Sequence, residues 1–548
     1  MACEKLHRND SDTKERKYYY PRLPFFEVLI CTLLWGGGIV LSISSLYAIS
    51  RKNEDRYKRY GYLEQGWKHW LGIHQDAYDS EWGLWKKYLW ECTVLGFAGH
   101  FIISRFAERV WPDRRFEIML VYTLSFTAHF LGVYGLLFLM GHFTIQYLAV
   151  FLTGSTTVCW IAGLSLLYSM QHPTCLKTIL TFYSKEDEDK AYVLLVCTGM
   201  SNLRYIGYSL EFAWWRNGRR QELLTEPDIV EQSQSSKQSN KKQKRKEEDK
   251  KSNEPESISE FSFIDLLIYQ MYFPLFYGGP VMNYDEFVRQ RRRPPMNWDV
   301  EKTKQFITGL LRFAFWNFFT DIGLHFIYTS SLAADVRVVQ KMSIFNLCGL
   351  SMAQVWLFYM KYLIWYGMPS HFATSDNMIV PGQPQCVYSK HRMTDFWKLI
   401  DRGLHKWLVR YVYIPCGGSK AGVLRSIFSL MVTFTFVTYW HGPLIHHLWW
   451  GFFCWFGVLV ESIALGIYRT KPVQNFENKY LTPAWSRRIR GVFSSFAFVF
   501  LIVSNLYFLA GYRVGNIYWK RLYYENIYAT LLIHVVLYGA SQSSMDRI

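Results

Sequence analysis

The stretch FSLMVTFTFVTYWHG, residues 428–442, is an apolar run that closes on a histidine, His441. An ionisable side chain at bilayer depth costs roughly 2.5 to 3.5 kcal/mol on insertion scales, so a histidine retained there needs a partner, a cavity or a chemical role. A second such group, Asp401, lies forty positions earlier in FWKLIDRGLHKWLVRYVYIPCGGS, residues 396–419. We therefore interpret Asp401 and His441 as catalytic candidates inside a membrane.

The apolar residues of the chain are gathered into long blocks. Half of the 548 residues are hydrophobic and 18% are aromatic. A bilayer core about 30 Å thick requires about 20 apolar residues per helix, so we predict an all-α polytopic membrane protein with about ten to twelve transmembrane or re-entrant helices. The candidate spans are residues 23–49, 88–106, 116–140, 143–170, 192–214, 263–281, 309–332, 343–366, 426–440, 448–468, 491–510 and 527–538.

Composition divides the chain into four parts. A polar tail, residues 1–22, precedes the N-terminal transmembrane helices of residues 23–221. Residues 222–260 are rich in Gln, Ser, Lys and Glu and poor in apolar residues, so we predict a disordered charged loop there. Residues 261–548 form a second membrane part, which holds both catalytic candidates.

The formal net charge of +17 is concentrated in short basic loops, such as residues 51–59, 105–115 and 289–293. Such loops fit the positive-inside rule and attraction to anionic membrane lipids, and they argue against nucleic-acid binding. The ten cysteines include no CxxC pair, so neither a zinc site nor a disulfide framework is indicated.

Two segments depart from the pattern of simple spans. In residues 263–287, Pro274, Gly278, Gly279 and Pro280 interrupt an apolar run between two basic loops. Non-helical backbone at membrane depth is tolerated only inside protein or beside a water-filled cavity, so we expect a re-entrant segment near an internal chamber, or else a kinked spanning helix.

The second departure, residues 396–414, is amphipathic. Spacings of three and four place Phe396, Ile400, Leu404 and Trp407 on one helical face. This pattern favours an interfacial or re-entrant helix that brings Asp401 to the edge of the chamber. The alternative is a surface helix whose acid pairs with Lys398 or His405.

The chemistry of His441 leaves two interpretations open. An imidazole titrates near pH 6.5 and can take a proton from an amine or hydroxyl nucleophile, and the following Gly442 and Pro443 end the helix beside it. A histidine in such a place is more often a packing or hydrogen-bonding residue. His446 and His447 lie close by, so residue chemistry does not identify the base uniquely.

The segments WKLIDRGLHKWLVRYVYIPCGGS, FTFVTYWHG and VSNLYFLAGYRVGNIYW resemble the membrane-bound O-acyltransferase family, and within it the Hedgehog acyltransferases, which are protein-cysteine N-palmitoyltransferases. The resemblance is most specific from residue 386 to residue 519. It implies helices around an internal tunnel, with residues 261–548 as the acyltransferase core. It also implies residence in the endoplasmic reticulum membrane, or in the Golgi.

The resemblance implies palmitoyl transfer from palmitoyl-coenzyme A to the amino-terminal cysteine of a Hedgehog-type secreted protein precursor. His441 matches the family's essential histidine and Asp401 its aspartate. Asn505 matches a polar residue of the reaction chamber, and we expect Asn505 and Trp440 to bind substrate. Cys386 falls where these enzymes hold a thiolate that ligates haem b, although its sequence context alone indicates a lone loop thiol.

Other interpretations remain open at this point. Relatives that acylate other secreted peptides or lipids would share His441 and differ in the acceptor. One related branch lacks the histidine, and its presence here argues against a non-enzymatic paralogue. A transporter would also have many spans and a broken helix, but the sequence contains no paired inverted repeat.

Overall fold

The computed structural model describes residues 21–67, 73–183, 188–218, 261–386 and 392–545. The predicted charged loop, residues 222–260, and residues 1–20 of the predicted N-terminal tail lie outside these residues.

Helices make up nearly all the regular structure of the described chain. In chain order they are α1 (Phe25–Lys52), α2 (Glu54–Arg59), α3 (Ser80–Trp90), α4 (Gly99–Val110), α5 (Arg115–Phe130), α6 (Gly132–Thr153), α7 (Thr156–Gln171), α8 (Pro173–Thr181), α9 (Glu188–Arg216), α10 (Phe263–Gln270), α11 (Phe273–Phe276), α12 (Tyr284–Arg291), α13 (Val300–Phe326), α14 (Thr329–Ala334), α15 (Val336–Lys341), α16 (Ile344–Ser375), α17 (Met393–Ile400), α18 (Arg402–Leu408), α19 (Val423–His441), α20 (Ile445–Tyr468), α21 (Lys471–Tyr480), α22 (Pro483–Lys520) and α23 (Ile527–Met545). Short π-helical segments, Glu91–Ala98, Val409–Tyr413 and Arg521–Glu525, adjoin α4, α18 and α22.

Two short strands, β1 (Leu63–Gln65) and β2 (His74–Asp76), pair antiparallel with Glu64 opposite Gln75. The carboxylate of Asp76 accepts the backbone N–H of Ser330 at 2.7 Å and so attaches this hairpin to α14. Burial raises the pKa of Asp76 to about 6.

Six helices of the described chain are long and apolar enough to cross a membrane: α1, α6, α16, α19, α20 and α22. The other predicted crossings are shorter, less apolar or more highly charged. Large apolar side chains on α1, including Phe25, Phe26 and Leu33, are exposed, as expected for a helix that faces lipid. The all-α polytopic membrane fold is therefore confirmed, while the internal tunnel stays a prediction.

Two of the predicted spans have wrong boundaries. Residues 116–140 and 143–170 are divided among three helices, because the chain breaks before Gly132 and again at Gly154. These glycines have φ values of +76° and +63°, a left-handed conformation that side chains with a Cβ rarely adopt. Gly132 lies within a largely apolar run, so hydropathy alone does not show the first break. Gly154 is flanked by Thr153, Ser155 and Thr156, a polar turn signal inside the predicted span.

The interrupted segment of residues 263–287 is broken and buried. It forms α10 and α11, separated by Met271 and Tyr272, and continues without helix to α12. Ser262 and Asp265 form a capping box that starts α10. Every residue from 265 to 276 is buried, which satisfies the condition for non-helical backbone at membrane depth. The segment thus has the broken form expected of a re-entrant one, rather than that of a kinked continuous helix.

The amphipathic segment of residues 396–414 has the predicted apolar face, with Phe396, Ile400 and Trp407 buried. It is two helices rather than one, however. Asp401 separates α17 from α18 with an extended backbone, φ −138° and ψ 90°. The break places the carboxylate of Asp401 at the start of α18, where a helix has unsatisfied N–H groups.

Candidate active site

His441 is the last residue of α19, and Gly442, with φ +108°, ends the helix there. The carbonyls of the last helical turn lack intrahelical partners. Gln171, at the end of α7, binds two of them: its Nε2 donates to the carbonyl of Tyr439, which also accepts the N–H of Gly442, at 3.0 Å and to that of Trp440 at 3.3 Å. The backbone that carries His441 is therefore fixed from outside its own helix.

The His441 ring is held by aromatic contacts. Its centroid lies 4.7 Å from that of Trp440, 4.9 Å from Phe508 and 5.2 Å from Trp450. The side chain is partly exposed. No residue of the described ranges forms a hydrogen bond or ion pair with it. Its ring nitrogens are thus available for a proton from a substrate, as a general base requires.

Trp440, a predicted substrate-binding residue, has a structural anchor. Its indole Nε1 donates to the carbonyl of Gly199 on α9 at 3.0 Å. Its ring meets the imidazole of His441 nearly edge to face, at an angle of 70°. Trp440 therefore positions His441, while substrate binding by its ring stays a prediction.

Asp401 is engaged by two donors. Its Oδ1 accepts the backbone N–H of Leu404 at 2.8 Å and caps α18, and its Oδ2 accepts the hydroxyl of Tyr366 at 3.0 Å. Neither Lys398 nor His405 forms an ion pair with it among the described residues, so the predicted surface pairing is absent.

Asp401 and His441 are joined by no hydrogen bond or ion pair within the described chain. They are linked instead through α9. Trp407, in the helix that Asp401 caps, donates from Nε1 to the carbonyl of Leu203 at 2.8 Å. The Trp440 bond to Gly199 lies one helical turn away on α9. A single turn of α9 thus fixes the helices that carry both candidates.

Asn505 lies on α22 and borders a cavity of about 550 Å³ between α1, α16, α22 and α23. Its Nδ2 donates to the carbonyl of Leu501 at 2.8 Å. The cavity wall is almost entirely apolar, with Arg521 as its one charged residue among those described. Phe508, which contacts His441, follows Asn505 by three residues on the same helix. Asn505 therefore lines the apolar cavity on the same helix that carries Phe508 to His441.

Cys386, the predicted haem ligand, is exposed and lies within electrostatic range of Tyr359 on α16. A thiolate is a suitable axial ligand for haem iron. Residues 387–391, which follow it, are outside the described chain, and the apolar cavity does not border it. No group of three or more His, Cys, Asp or Glu in the described ranges could hold a metal ion. Cys386 as a haem ligand stays a prediction, and the reaction proposed below does not pass through haem.

Two charged residues near the site were not singled out from the sequence. Arg204, next to Leu203 on α9, is fully buried, and its Nη1 donates to the carbonyl of Gln270 at 3.2 Å. Glu461 lies in the apolar helix α20 and binds the start of α17. Each is a charge inside a predicted span, which is itself a signal of function.

Comparison with known proteins decides the family. The profile described as the membrane-bound O-acyltransferase family matches residues 121–509, a range that includes Asp401, His441 and Asn505. The chain belongs to the membrane-bound O-acyltransferase family. This confirms the family resemblance seen in the sequence and makes the chain an acyltransferase rather than a transporter.

Several named acyltransferases are similar over much of this family member. It is 30% identical over 504 residues to the protein-cysteine N-palmitoyltransferase HHAT of Mus musculus, across 92% of this chain and 94% of that protein. It is 27% identical over 275 residues to the protein-cysteine N-palmitoyltransferase Rasp of Drosophila melanogaster, across 50% and 54% of the two chains. The HHAT-like protein of Mus musculus is 24% identical over 532 residues, across 96% and 95%.

Proposed function

We propose that this membrane-bound O-acyltransferase transfers a palmitoyl group from palmitoyl-coenzyme A to the amino-terminal cysteine amine of a Hedgehog-type secreted protein precursor. Three of its relatives carry the words protein-cysteine N-palmitoyltransferase in their names, and two of these align over 92% and 96% of the chain. We place the reaction in the endoplasmic reticulum membrane or the Golgi, where a secreted acceptor and a cytosolic donor lie on opposite sides of one bilayer.

The observation that carries the proposal is the state of His441. Its imidazole is partly exposed, lies in an aromatic frame and forms no hydrogen bond with the described residues. A histidine that served only packing would be enclosed, and one that served only structure would bind a neighbour. A rigid frame around free ring nitrogens is what a positioned base requires.

In the proposed reaction His441 acts as the general base. The amine nitrogen of the acceptor attacks the thioester carbonyl, its proton passes to the His441 imidazole, and the C–S bond breaks with its electron pair on sulfur. Base catalysis of this kind contributes typically about 10² to 10⁴ in rate. An α-amine with a pKa near 7.7 to 8 is partly protonated at neutral pH, which makes a nearby base useful.

We propose a different role for Asp401, because its carboxylate accepts hydrogen bonds from Tyr366 and Leu404 and forms none with His441. Its carboxylate fixes the start of α18 and the hydroxyl of Tyr366. We assign Asp401 to the side of the site that binds the acyl donor, palmitoyl-coenzyme A. There it holds the break between α17 and α18 in a defined geometry. Trp407 and Trp440 both bind the same turn of α9, and this shared attachment fixes the position of the break relative to His441.

The apolar cavity beside Asn505 is the proposed site for the palmitoyl chain. The residues that line it are almost all apolar, which suits a long hydrocarbon chain. Asn505 is the lining residue of α22 that comes nearest to Phe508 along the chain, and the ring of Phe508 contacts that of His441. This order of residues would place the thioester near the base and the methyl end away from it. Each methylene that fits or fails to fit is worth about 0.8 kcal/mol, so such a cavity can select chain length.

The test uses the purified protein in detergent with labelled palmitoyl-coenzyme A and a peptide that begins with cysteine. We expect a product that withstands neutral hydroxylamine, as an amide does, and none from a peptide with an acetylated amine. His441→Ala should lower the rate by about 10² or more. His129→Ala, a change at an exposed histidine on α5, is the matched control. Equal rates from His441→Ala and His129→Ala would remove His441 as the base.

The same assay separates the alternative of another acceptor. A family member that acylates a serine hydroxyl would give a labelled ester from a serine peptide whether or not its amine is acetylated. Labelling of the cysteine peptide alone, and only with a free amine, supports the proposed acceptor chemistry.

A further inference from the structure

Three imidazoles lie in a row where α19 meets α20. The ring centroid of His441 is 6.1 Å from that of His447, and the ring of His447 is 4.2 Å from that of His446. His446 and His447 are both partly exposed. The turn between the helices, which includes Pro443 and Leu444, is exposed. The row therefore connects the candidate base with an exposed turn at the surface of the protein.

The orientation of His447 is set by the backbone. Its Nδ1 lies 2.9 Å from the carbonyl oxygen of Gly442, the residue that follows the base. A carbonyl can only accept, so Nδ1 carries the hydrogen and the neutral ring presents Nε2 as an acceptor. The ring also packs against Phe508 at 5.2 Å, the residue that contacts His441. His447 is thus held as a second proton acceptor next to the first.

No competing charge is paired with these rings. Among the described residues no carboxylate or cationic side chain forms an ion pair with His441, His446 or His447. Besides His447, the aromatic rings that contact His441 in the described chain are those of Trp440, Trp450 and Phe508, none of which takes up a proton. Within the described site, the only titratable group in ring contact with His441 is His447.

We propose that His447 relays the proton from His441 to solvent, with His446 as the outer group; this rests on the proposed function of His441 as the base. The acceptor amine forms the C–N bond and gives its proton to His441. That proton passes to Nε2 of His447 through one bridging water, a link that proton transfer tolerates. The proton then leaves Nε2 of His447 to water on the side of His446, so the ring keeps its Nδ1–H bond to Gly442 and returns to its starting tautomer. The departing coenzyme A thiolate takes a proton from water on its own side.

The relay returns His441 to its neutral form after each turnover. Without it, the other rings in contact with the imidazolium, those of Trp440, Trp450 and Phe508, offer no group to receive the proton. Release of the proton would then depend on water or on a buffer molecule that reaches the site. His447 in this role touches neither the carbonyl nor the amine, so it is a positioning and relay residue rather than the base.

Two substitutions at one position separate the relay from a structural role. His447→Asn places an amide nitrogen where Nδ1 stands, so the hydrogen bond to the Gly442 carbonyl can be kept while Nε2 is lost. His447→Gln places its amide further out and loses that bond. If His447 only braced the turn, His447→Asn would behave as the unchanged protein and His447→Gln would be impaired.

The readout is kcat for amide formation at increasing imidazole concentration. We expect kcat of His447→Asn to fall about tenfold, less than the 10² to 10⁴ of a group that acts on the reacting atom. Its KM for the peptide should be unchanged, and added imidazole should restore kcat. An unchanged kcat for His447→Asn, or a loss that imidazole does not restore, overturns the relay. Failure of the proposed function would be seen separately, as absence of the amide product from the unchanged protein.

Discussion

Glu461, in the apolar helix α20, accepts the backbone N–H of Met393, the first residue of α17, at 2.7 Å. The same carboxylate accepts the N–H of Thr394 at 3.4 Å and pairs with Arg392 at 3.4 Å. The start of a helix carries unsatisfied N–H groups and a positive dipole end, so a carboxylate is well suited to hold it. Since α17 ends next to Asp401, a residue on α20 sets the position of the Asp401 break.

This contact predicts a positioning effect at Glu461. We expect Glu461→Ala to destabilise the protein by about 1.5 to 3 kcal/mol, the range for a hydrogen bond to a charged group. A displaced Asp401 should also lower activity, by up to about 10²-fold if the shift reaches 1 Å. Thermal unfolding and kcat of the purified variants measure both effects.

Two further variants calibrate the Glu461 result. Glu461→Gln keeps one acceptor oxygen and should be intermediate in both measurements. Ser462→Ala removes a hydroxyl that only binds the carbonyl of Val458 within its own helix, and it should behave as the unchanged protein. If Glu461→Ala kept full activity, the position of α17 would not depend on this carboxylate.

Asp401 allows its cap and its charge to be tested separately. Asn and Asp are equally good at helix N-termini, so Asp401→Asn should retain the cap of α18 and nearly all stability. Asp401→Ala should lose about 1 kcal/mol with the cap. If the negative charge serves the donor side, both variants lose at least about tenfold in kcat/KM for palmitoyl-coenzyme A, which corresponds to 1.4 kcal/mol.

Tyr366→Phe is the companion change for Asp401. It removes the hydroxyl that donates to Oδ2 and leaves the bond from Leu404 in place. We expect a smaller loss of kcat/KM than from Asp401→Asn, because the charge stays. Full activity in Asp401→Asn would assign Asp401 to capping alone.

Hydropathy predicts those features of the molecule that depend on the difference between lipid and water, namely the apolar spans and the polar residues within them. The first span was predicted as residues 23–49 and is α1, Phe25–Lys52, and residues 448–468 fall within α20. Asp401 and His441 stood out for the same reason, since a charge or an imidazole in an apolar segment is expensive. The apolar face around Asp401 followed from helical periodicity.

The partners of these residues could not be predicted, because each partner is distant in sequence. Tyr366 reaches Asp401 from another helix, and Gln171 reaches the end of α19 across 268 residues of chain. The break at Asp401 itself depends on a cap that competes with helix continuation. Local patterns carry no information on which of these contacts the packed structure makes.

Arg204 gives a prediction in which stability and activity move in opposite directions. It is fully buried, and two of its nitrogens, Nε and Nη2, have no acceptor among the described residues. The amide atoms of Gln270, also fully buried, are likewise without partners there. A buried charge whose donors lack acceptors carries a desolvation cost that hydrogen bonds do not offset, and an apolar side chain of similar length removes that cost. We therefore expect Arg204→Met to raise the unfolding temperature.

The same variant should lose activity, because a buried charge in a membrane protein is retained for function by default. Arg204→Lys keeps the charge and serves as the control, with activity between those of Arg204→Met and the unchanged protein. Assays of unfolding temperature and kcat on one preparation decide the matter. A less stable Arg204→Met would mean that the guanidinium is a structural group.

The glycines of α1 offer a test of the apolar cavity. Gly37 borders the cavity and Gly36 does not, yet a Cβ at either position would meet no atom within 4 Å. Gly37→Leu should therefore fill part of the cavity without a clash. Gly36→Leu is the matched control, because it makes the same change in helix propensity and in apolar surface on α1 without reaching the cavity.

If the palmitoyl chain occupies this cavity, Gly37→Leu shortens the space available to it. Displacement of about three methylenes at about 0.8 kcal/mol each lowers kcat/KM for the palmitoyl donor by on the order of tenfold or more. A donor shorter by the same length should lose nothing, so the preference shifts towards shorter chains. Gly36→Leu should keep the palmitoyl preference, because its side chain lies outside the wall. Identical chain-length profiles for the two variants would mean that the palmitoyl chain binds elsewhere, since only one substitution reduces the volume of the cavity.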